Sequence, residues 1–250
     1  MATTLNPNVP TFSPAAVEDL LTGNRILRRA FLEQPSHSVG RQGAIYASGG
    51  GEGPVILIQR GVAFRSCSLP DGRRAIIDLL LPGDFGGVDH LVSGSGNEEL
   101  TAANTVAYRA MRPAALREMM VNPAVALRLT ALMAETRWRM DRNMTAVIRL
   151  DARERVALFL LDIYDRLRRR ELIARPTYNL PLTQEQIADH LGMTMVHVNR
   201  TLRRLREDRL AMVAQQVVIL TDVDRLRALV SGMPALADLA EPLRDMVLAG

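Results

Sequence analysis

The chain has 250 residues, 48% of them hydrophobic, enough to bury a sizeable core in one large domain or two small ones. Its formal net charge is only +4, but the excess is uneven. Arginines crowd one stretch at Arg153, Arg155, Arg166, Arg168, Arg169, Arg170, Arg200, Arg203, Arg204, Arg206 and Arg209, a distribution that suits a polyanion such as nucleic acid as readily as a solvated helix face. The single cysteine, Cys67, excludes an intramolecular disulfide and any cysteine cluster for zinc or iron–sulfur. It fits a reducing cytoplasm and reads as a strand residue.

Residues Met1 to Pro14 read as a flexible arm, without the basic-then-apolar pattern of an export signal. Val17 to Leu32 has helical spacing through Leu20, Leu21, Leu27 and Phe31. From Gly40 to Met111 the texture changes. Short apolar runs (Val55–Ile58, Ala75–Leu81, Thr105–Met111) alternate with turn signals at Gly49-Gly50-Gly51, Arg60-Gly61, Pro70-Asp71-Gly72, Pro82-Gly83-Asp84 and Gly94-Ser95-Gly96. This spacing predicts a small β sandwich or jelly roll, with Asp71-Gly72 as a hairpin turn. No apolar run reaches membrane-spanning length, since Leu79-Leu80-Leu81 stops at Pro82.

From Pro113 the pattern is helical. Val125, Leu129, Leu132, Thr136, Met140, Asn143 and Val147 recur at alternating steps of three and four. That near-heptad seam predicts a helix that pairs with a second copy of itself, the alternative being packing on its own domain. Asp151 and Glu154 form a capping-box pattern ahead of an apolar stripe of Val156, Phe159, Leu160, Ile163 and Leu167. That helix ends near Arg168-Arg169-Arg170, where positive charge complements the helix dipole. Pro176 and Pro181 bracket a short linker or strand.

The segment Leu182 to Arg200 carries the most information. Thr183 can cap a short helix, Ala188 is small where a second helix must cross, Gly192 lies just past the helix end, and Thr194 can cap the next helix. Val198, Leu202 and Leu205 would bury that helix against Ile187 and Leu191. Two helices crossing tightly about a glycine turn, the second rich in arginine, predict a DNA-binding helix-turn-helix. Ala211–Ala214 and Val217–Leu220 flank Gln215-Gln216 and predict a β-hairpin wing; Thr221-Asp222 can cap a last helix through Leu229.

Taken from about Leu20 to Leu229, and most sharply from Leu180 to Glu207 with Val196-His197-Val198-Asn199-Arg200-Thr201-Leu202, the chain resembles the Crp/Fnr family of bacterial regulators. The resemblance implies an α+β architecture in three parts: a cyclic-nucleotide-binding-like β jelly roll over residues 15–118, a dimerisation helix over 119–149, and a winged helix-turn-helix over 150–232. It implies a cytoplasmic homodimer that binds duplex DNA and works with RNA polymerase. The base-reading positions fall on Met195, Val196, Asn199 and Arg200, with His197 nearby, and Thr194 and Arg203 suit phosphate contacts. Met195 and Val196 depart from the Arg-Glu pair of the cAMP receptor protein, which leaves the target sequence open.

In cAMP-binding members a Glu holds the ribose and an Arg-Ser or Arg-Thr pair holds the cyclic phosphate. Here Gly87 falls at the Glu position and Asn97 and Glu98 at the pair, and no arginine lies between Arg74 and Arg109. The sensor is therefore expected not to bind a cyclic nucleotide. No cofactor or metal is expected either: haem through His37 or His90 has no support beyond lone loop histidines, and Gly49-Gly50-Gly51-Glu52-Gly53 lacks the Gly-Lys-Ser/Thr of a phosphate loop. Nothing resembles a nucleophile–base pair, so an enzyme is not expected. The other class left open is a ligand-sensing or scaffolding protein whose winged helix contacts protein.

Overall fold

Short apolar runs punctuated by turn residues fill much of the N-terminal half, and there the chain forms strands. The computed structural model describes residues 14–47, 52–93 and 98–233. Helix α1 (Pro14–Leu32) leads into β1 (Ser36–Val39), β2 (Ala44–Tyr46), β3 (Val55–Arg60), β4 (Ala63–Ser68), β5 (Arg74–Leu80), β6 (Phe85–Gly86), the short α2 (His90–Ser93), β7 (Glu98–Ala102) and β8 (Val106–Met111). Two four-stranded sheets result, in the orders β1-β8-β3-β6 and β2-β7-β4-β5, with every described pairing antiparallel. Tyr46, Ile56, Ile58, Leu80, Leu100 and Val106 fill the space between them.

The β4–β5 hairpin closes at Asp71-Gly72 as expected. The Leu69 N–H donates to the Arg73 carbonyl at 2.7 Å, and the Asp71 carboxylate accepts from the Arg73 N–H at 3.1 Å. The apolar runs became β3, β5 and β8. Five other strands had no apolar signal: β1 is largely exposed, β4 carries the buried polar residues Arg65 and Ser66, and β2, β6 and β7 are short. Of the arm expected over Met1 to Pro14, Pro14 opens α1; residues 1–13, the Gly49-Gly50-Gly51 and Gly94-Ser95-Gly96 turns, and Asn97 lie outside the described residues.

The helical half contains α3 (Pro113–Met119), α4 (Pro123–Arg149), α5 (Ala152–Arg169), β9 (Thr177–Asn179), α6 (Gln184–Leu191), α7 (Met195–Glu207), β10 (Ala211–Ala214), β11 (Val217–Leu220) and α8 (Val223–Leu229). The long helix starts at Pro123 and not near residue 119, because Asn122 caps it by accepting the Ala124 N–H at 3.0 Å. With 27 residues, α4 is roughly 40 Å long.

The seam read along α4 turns out to face its own subunit. Val125, Leu129 and Leu132 are buried in one cluster with Leu27 and Phe31 of α1 and Phe85 of β6. Thr136 and Met140 line a cavity against the jelly roll, and Asn143 lines a small polar gap beside Phe159 and Arg166. Of the seven residues only Val147 is exposed. Hydrophobic period marks a buried face but does not say whose core buries it. The outward stripe is a different one: Thr130, Ala134, Arg137, Asp141, Met144 and Ile148, again at steps of four and three, all exposed but the half-buried Asp141.

The DNA-binding half is not hung on a free linker. Val62, Phe64, Ile76, Leu79 and Leu81 from the outer face of β4–β5 share one apolar cluster with Phe159, Ile163 and Leu191. Charge reinforces this joint. The Asp84 carboxylate, at the turn after β5, takes the Leu81 N–H at 2.6 Å and ion-pairs with both Arg166 of α5 and Arg170 at its end. Arg166 also donates to the Leu79 carbonyl at 2.8 Å and Arg170 to the Pro82 carbonyl at 2.9 Å. Farther along, Arg74 of β5 pairs with Asp189 of α6 at 2.7 Å, and Arg142 of α4 with Asp162 of α5 at 3.0 Å.

Burial alone would raise the Asp84 pKa, but Arg166 and Arg170 outweigh it and hold the carboxyl well below the usual carboxylate range. A folded-state pKa below the unfolded value of about 3.9 contributes stability above pH ~4 that fades as pH falls further. Asp84→Ala would remove the main partner of the buried Arg166 and leave it only the longer pairing to Asp162 at 3.4 Å. It should lower stability at neutral pH by about 3–5 kcal/mol in urea unfolding, and the gap from wild type should narrow below pH ~4.

Candidate nucleic-acid interface and sensor cavity

Local hydrogen bonding fixes the two helices of the motif. Thr183 and Gln186 form a reciprocal capping box at the start of α6, at 3.1 and 2.8 Å. Gly192 ends α6 at φ +63°, a left-handed conformation that costs a residue with a Cβ roughly 1–2 kcal/mol, and Met193 N–H returns to the Ala188 carbonyl at 3.0 Å. Thr194 then caps α7 by accepting the His197 N–H at 3.3 Å. Ile187, Ala188 and Leu191 bury one face of α6, and Val198, Thr201 and Leu205 the matching face of α7, while Leu202 is only half-buried. Thr201 satisfies its hydroxyl on the His197 carbonyl at 2.9 Å.

The opposite face of α7 meets solvent. Thr194, Met195, Val196, Asn199, Arg200 and Arg203 are exposed and His197 is half-buried. Met195 and Val196 are 50% and 74% exposed, so two apolar side chains present much of their surface to solvent at the positive end of a helix. Arg200 follows one turn after Val196, and among the described residues it makes no ion pair within the chain. Arg203 lies 3.6 Å from Glu207, an exposed pairing one turn on. Strands β10 and β11 pair from Ala211↔Leu220 to Ala214↔Val217 and β9 joins as a third strand. Gln215 and Gln216 both turn through left-handed conformations, at φ +49° and +65°, which projects the wing beside α7.

The arginine-rich stretch therefore divides in two. Arg200, Arg203, Arg204, Arg206 and Arg209 are exposed on or just after α7. Arg166 and Arg170 are committed to Asp84, Arg155 donates to the Leu150 carbonyl at 2.9 Å, and Arg153 pairs with Asp208 at 2.6 Å. These members are tied to partners within the chain, as are Arg168 on the Tyr164 hydroxyl at 2.9 Å and Arg169 on the Asp165 carbonyl at 3.0 Å, while Arg153 and Arg168 keep part of their surface in solvent.

Between the jelly roll and α4 lies a cavity of about 250 Å³. Its charged lining is Arg65 and Arg137 against Asp78, Asp89 and Glu98, and Met133 and Met140 of α4 form an apolar wall. Arg65 rises from β4 with 6% of its surface exposed. Glu98 holds it at 3.0 Å, with Asp89 at 3.8 Å. Burial works against its charge, but Asp78, Glu98 and Asp89 outweigh burial and keep it protonated. Gly87, the position expected to replace a ribose-binding Glu, sits at φ +71°. A Cβ there would lie 2.6 Å from the Pro54 carbonyl oxygen and 2.7 Å from His90 Nδ1, so this backbone admits no side chain.

Residues 154–229 match the model of the Crp-like helix-turn-helix domain. The chain is 32% identical over 179 residues to the transcriptional activatory protein AadR of Rhodopseudomonas palustris, an alignment spanning 70% of this chain and 72% of that protein. The chain belongs to the Crp/Fnr family. It is 33% identical over 181 residues to the transcriptional activator protein FnrL of Cereibacter sphaeroides, across 69% of this chain and 71% of that one. The solved structure of FixK2 from Bradyrhizobium japonicum superposes with a TM-score of 0.71 at 27% identity, covering 78% of this chain and 96% of the other.

This Crp/Fnr protein is thus a DNA-binding transcription regulator with a cyclic-nucleotide-binding-like jelly roll, a long central helix and a C-terminal winged helix-turn-helix. Among its described residues no group of three His, Cys, Asp or Glu is placed to hold a metal ion, and no helix is long and apolar enough to cross a membrane. Two groups that matter to the regulator escaped sequence reasoning. Arg65 enters the sensor cavity from a strand that gave no apolar signal, and its ion pairs to Asp89 and Glu98 span 24 and 33 positions. Asp84 looked like the end of a turn, and only the fold shows that it faces α5.

Proposed function

We propose that this regulator acts as a cytoplasmic homodimer whose α7 helices read two inverted half-sites on duplex DNA, and that it has no enzymatic activity. The outward face of α7 carries the reading: an unpaired Arg200 one turn beyond exposed Met195 and Val196. Arg200 can donate two bonds to a guanine edge, and the two apolar residues suit thymine methyl groups. Asn199 and His197 flank them, and Thr194 and Arg203 fit the phosphates on either side. Both relatives are named as activators, and contact with RNA polymerase is proposed here by extension.

For the dimer we take the outward stripe of α4 rather than the seam first read from the sequence. Ala134 is small enough for close helix approach, Met144 and Ile148 are 59% and 65% exposed, and the Arg137–Asp141 pair at 2.8 Å can fix register. For the sensor, the balance of two arginines against three carboxylates in the 250 Å³ cavity supports an effector other than a cyclic nucleotide. A cyclic phosphate would have to take Arg65 from Glu98 and stand beside three anions.

Arg200→Ala should weaken the specific site and relax selection at one symmetric pair of base positions, a loss of about 1–3 kcal/mol of discrimination. Arg203→Ala should weaken all duplexes alike and reduce the slope of affinity against salt by about one charge. Selection from randomised duplexes checks both; unchanged motif and affinity in Arg200→Ala would place the reading face elsewhere, and salt-insensitive binding would favour a protein partner for the wing. Ala134→Glu sets like charges across the α4 stripe, and the variant should sediment as a monomer where wild type sediments as a dimer. Titration calorimetry with cAMP and cGMP should give no saturable heat in the micromolar range.

A further inference from the structure

A second, smaller cavity lies where α1, α4, the end of α5 and the turn at Gly83–Phe85 meet. Its volume is about 20 Å³, room for one or two water-sized atoms. Four guanidinium groups line it: Arg28 from α1, Arg128 and Arg139 from α4, and Arg170 from the end of α5. Asp78 pairs with Arg139 from outside the cavity, and the two carboxylates that line it are Asp84 and Glu135. Both are already engaged. Asp84 holds Arg166 and Arg170, and Glu135 accepts from Arg128 at 2.6 Å.

The hydrogen-bond inventory leaves a donor set over. Arg28 Nε and Arg139 Nε are buried without a partner, although Arg139 Nη2 reaches Asp78 at 2.9 Å on its other side. Over Gly83 the arginines of α1 and α5 converge. A Cβ built on that glycine would lie 3.5 Å from Arg28 Nη2 and 3.4 Å from Arg170 Nε. Burial lowers the Arg28 pKa, and repulsion from Arg170 and Arg128 lowers it further, against a smaller attraction from Asp84. Buried N–H donors without acceptors are uncommon and call for an occupant. Water would satisfy the donors but leave the repulsion that Arg170 and Arg128 exert on Arg28; an anion answers both.

We propose that this cleft binds a small oxyanion of the phosphate class, its leading oxygens on Arg28 Nε and Arg139 Nε and its charge shared with Arg170. The volume admits those oxygens only, so the rest of the anion sits at the mouth beside the half-buried Arg28. The ligand is either the free ion or the phosphate end of an ester. The site is distinct from the 250 Å³ sensor cavity and from the exposed arginines of α7. It touches both halves of the protein, because Arg170 belongs to the helix that carries the winged domain and Arg28 to the helix that packs on α4. An anion held here would tighten the joint made by Asp84.

The test is calorimetry and thermal unfolding of the full chain with inorganic phosphate at constant ionic strength, with glycerol 3-phosphate as the ester and chloride as the salt control. Wild type should bind one phosphate per subunit saturably and melt at a higher temperature in its presence. Arg28→Gln should weaken both effects at least ~10-fold, and Arg28→Lys, which keeps the charge without the Nε donor, should fall between. Duplex binding by either variant in phosphate-free buffer should equal that of wild type. Tighter binding of the ester than of the ion would assign the site to a phosphorylated metabolite, and the reverse to the free ion. Failure of wild type to bind either up to ~10 mM, or phosphate binding that Arg28→Gln leaves intact and Arg200→Ala removes, would overturn the proposal. The DNA-binding reading would survive either result, since its own measurements use neither phosphate nor Arg28.

Discussion

Asp84 sits where the jelly roll ends its fifth strand and the winged domain begins to pack on it. Its carboxylate takes a backbone N–H from Leu81 and two guanidinium groups from Arg166 and Arg170. A charge this buried is tolerable only when such partners neutralise it, so turn, carboxylate and α5 are fixed relative to one another. The orientation of everything after α5 follows. Helix α6 is laid along β5 with Asp189 on Arg74, and α7 is carried by α6 through the left-handed turn at Gly192. The outward face of α7 is thus oriented, several contacts away, by the Asp84 pairs together with the Arg74–Asp189 pair and the apolar cluster they flank.

The motif that reads DNA was legible in the sequence because it is built from local rules. Capping at Thr183 and Thr194, a left-handed Gly192, the capping box of Asp151 and Glu154, and the apolar faces of α6 and α7 each depend on neighbours a few positions away. The wing followed from two short apolar runs, and its turn proved to hold two non-glycine residues in left-handed conformations. The jelly roll was legible as a class and not strand by strand. Strands such as β4, with Arg65 and Ser66 buried at 6% and 2% exposure, break the alternation that marks a half-buried strand, because partners from distant strands and helices satisfy their polar side chains.

The long helix shows a different limit. Helix α4 has two seams of the same period on faces roughly 120° apart around its axis. One, through Val125, Leu129 and Leu132, is filled by α1; the other, through Ala134, Met144 and Ile148, faces outward. The inner seam is the more hydrophobic and so gives the stronger sequence signal, yet the subunit uses it for itself. Which face is which depends on where α1 docks, and that contact joins segments about a hundred positions apart, as Arg128 on Asn24 does at 3.1 Å.

The apolar cluster that runs unbroken from Phe64 and Leu79 to Phe159 and Leu191 bears on how such a protein can change over generations. Sensor and reader have no boundary at which the chain could be cut and rejoined to a foreign partner. A recombinant that kept this winged domain but received another jelly roll would keep its joint only if the new outer sheet matched Phe159, Ile163 and Leu191 in shape and carried an acid at the turn for Arg166. New signals would then have to arise by altering the interior of the existing sensor, since an exchange of whole modules without that match would break the joint.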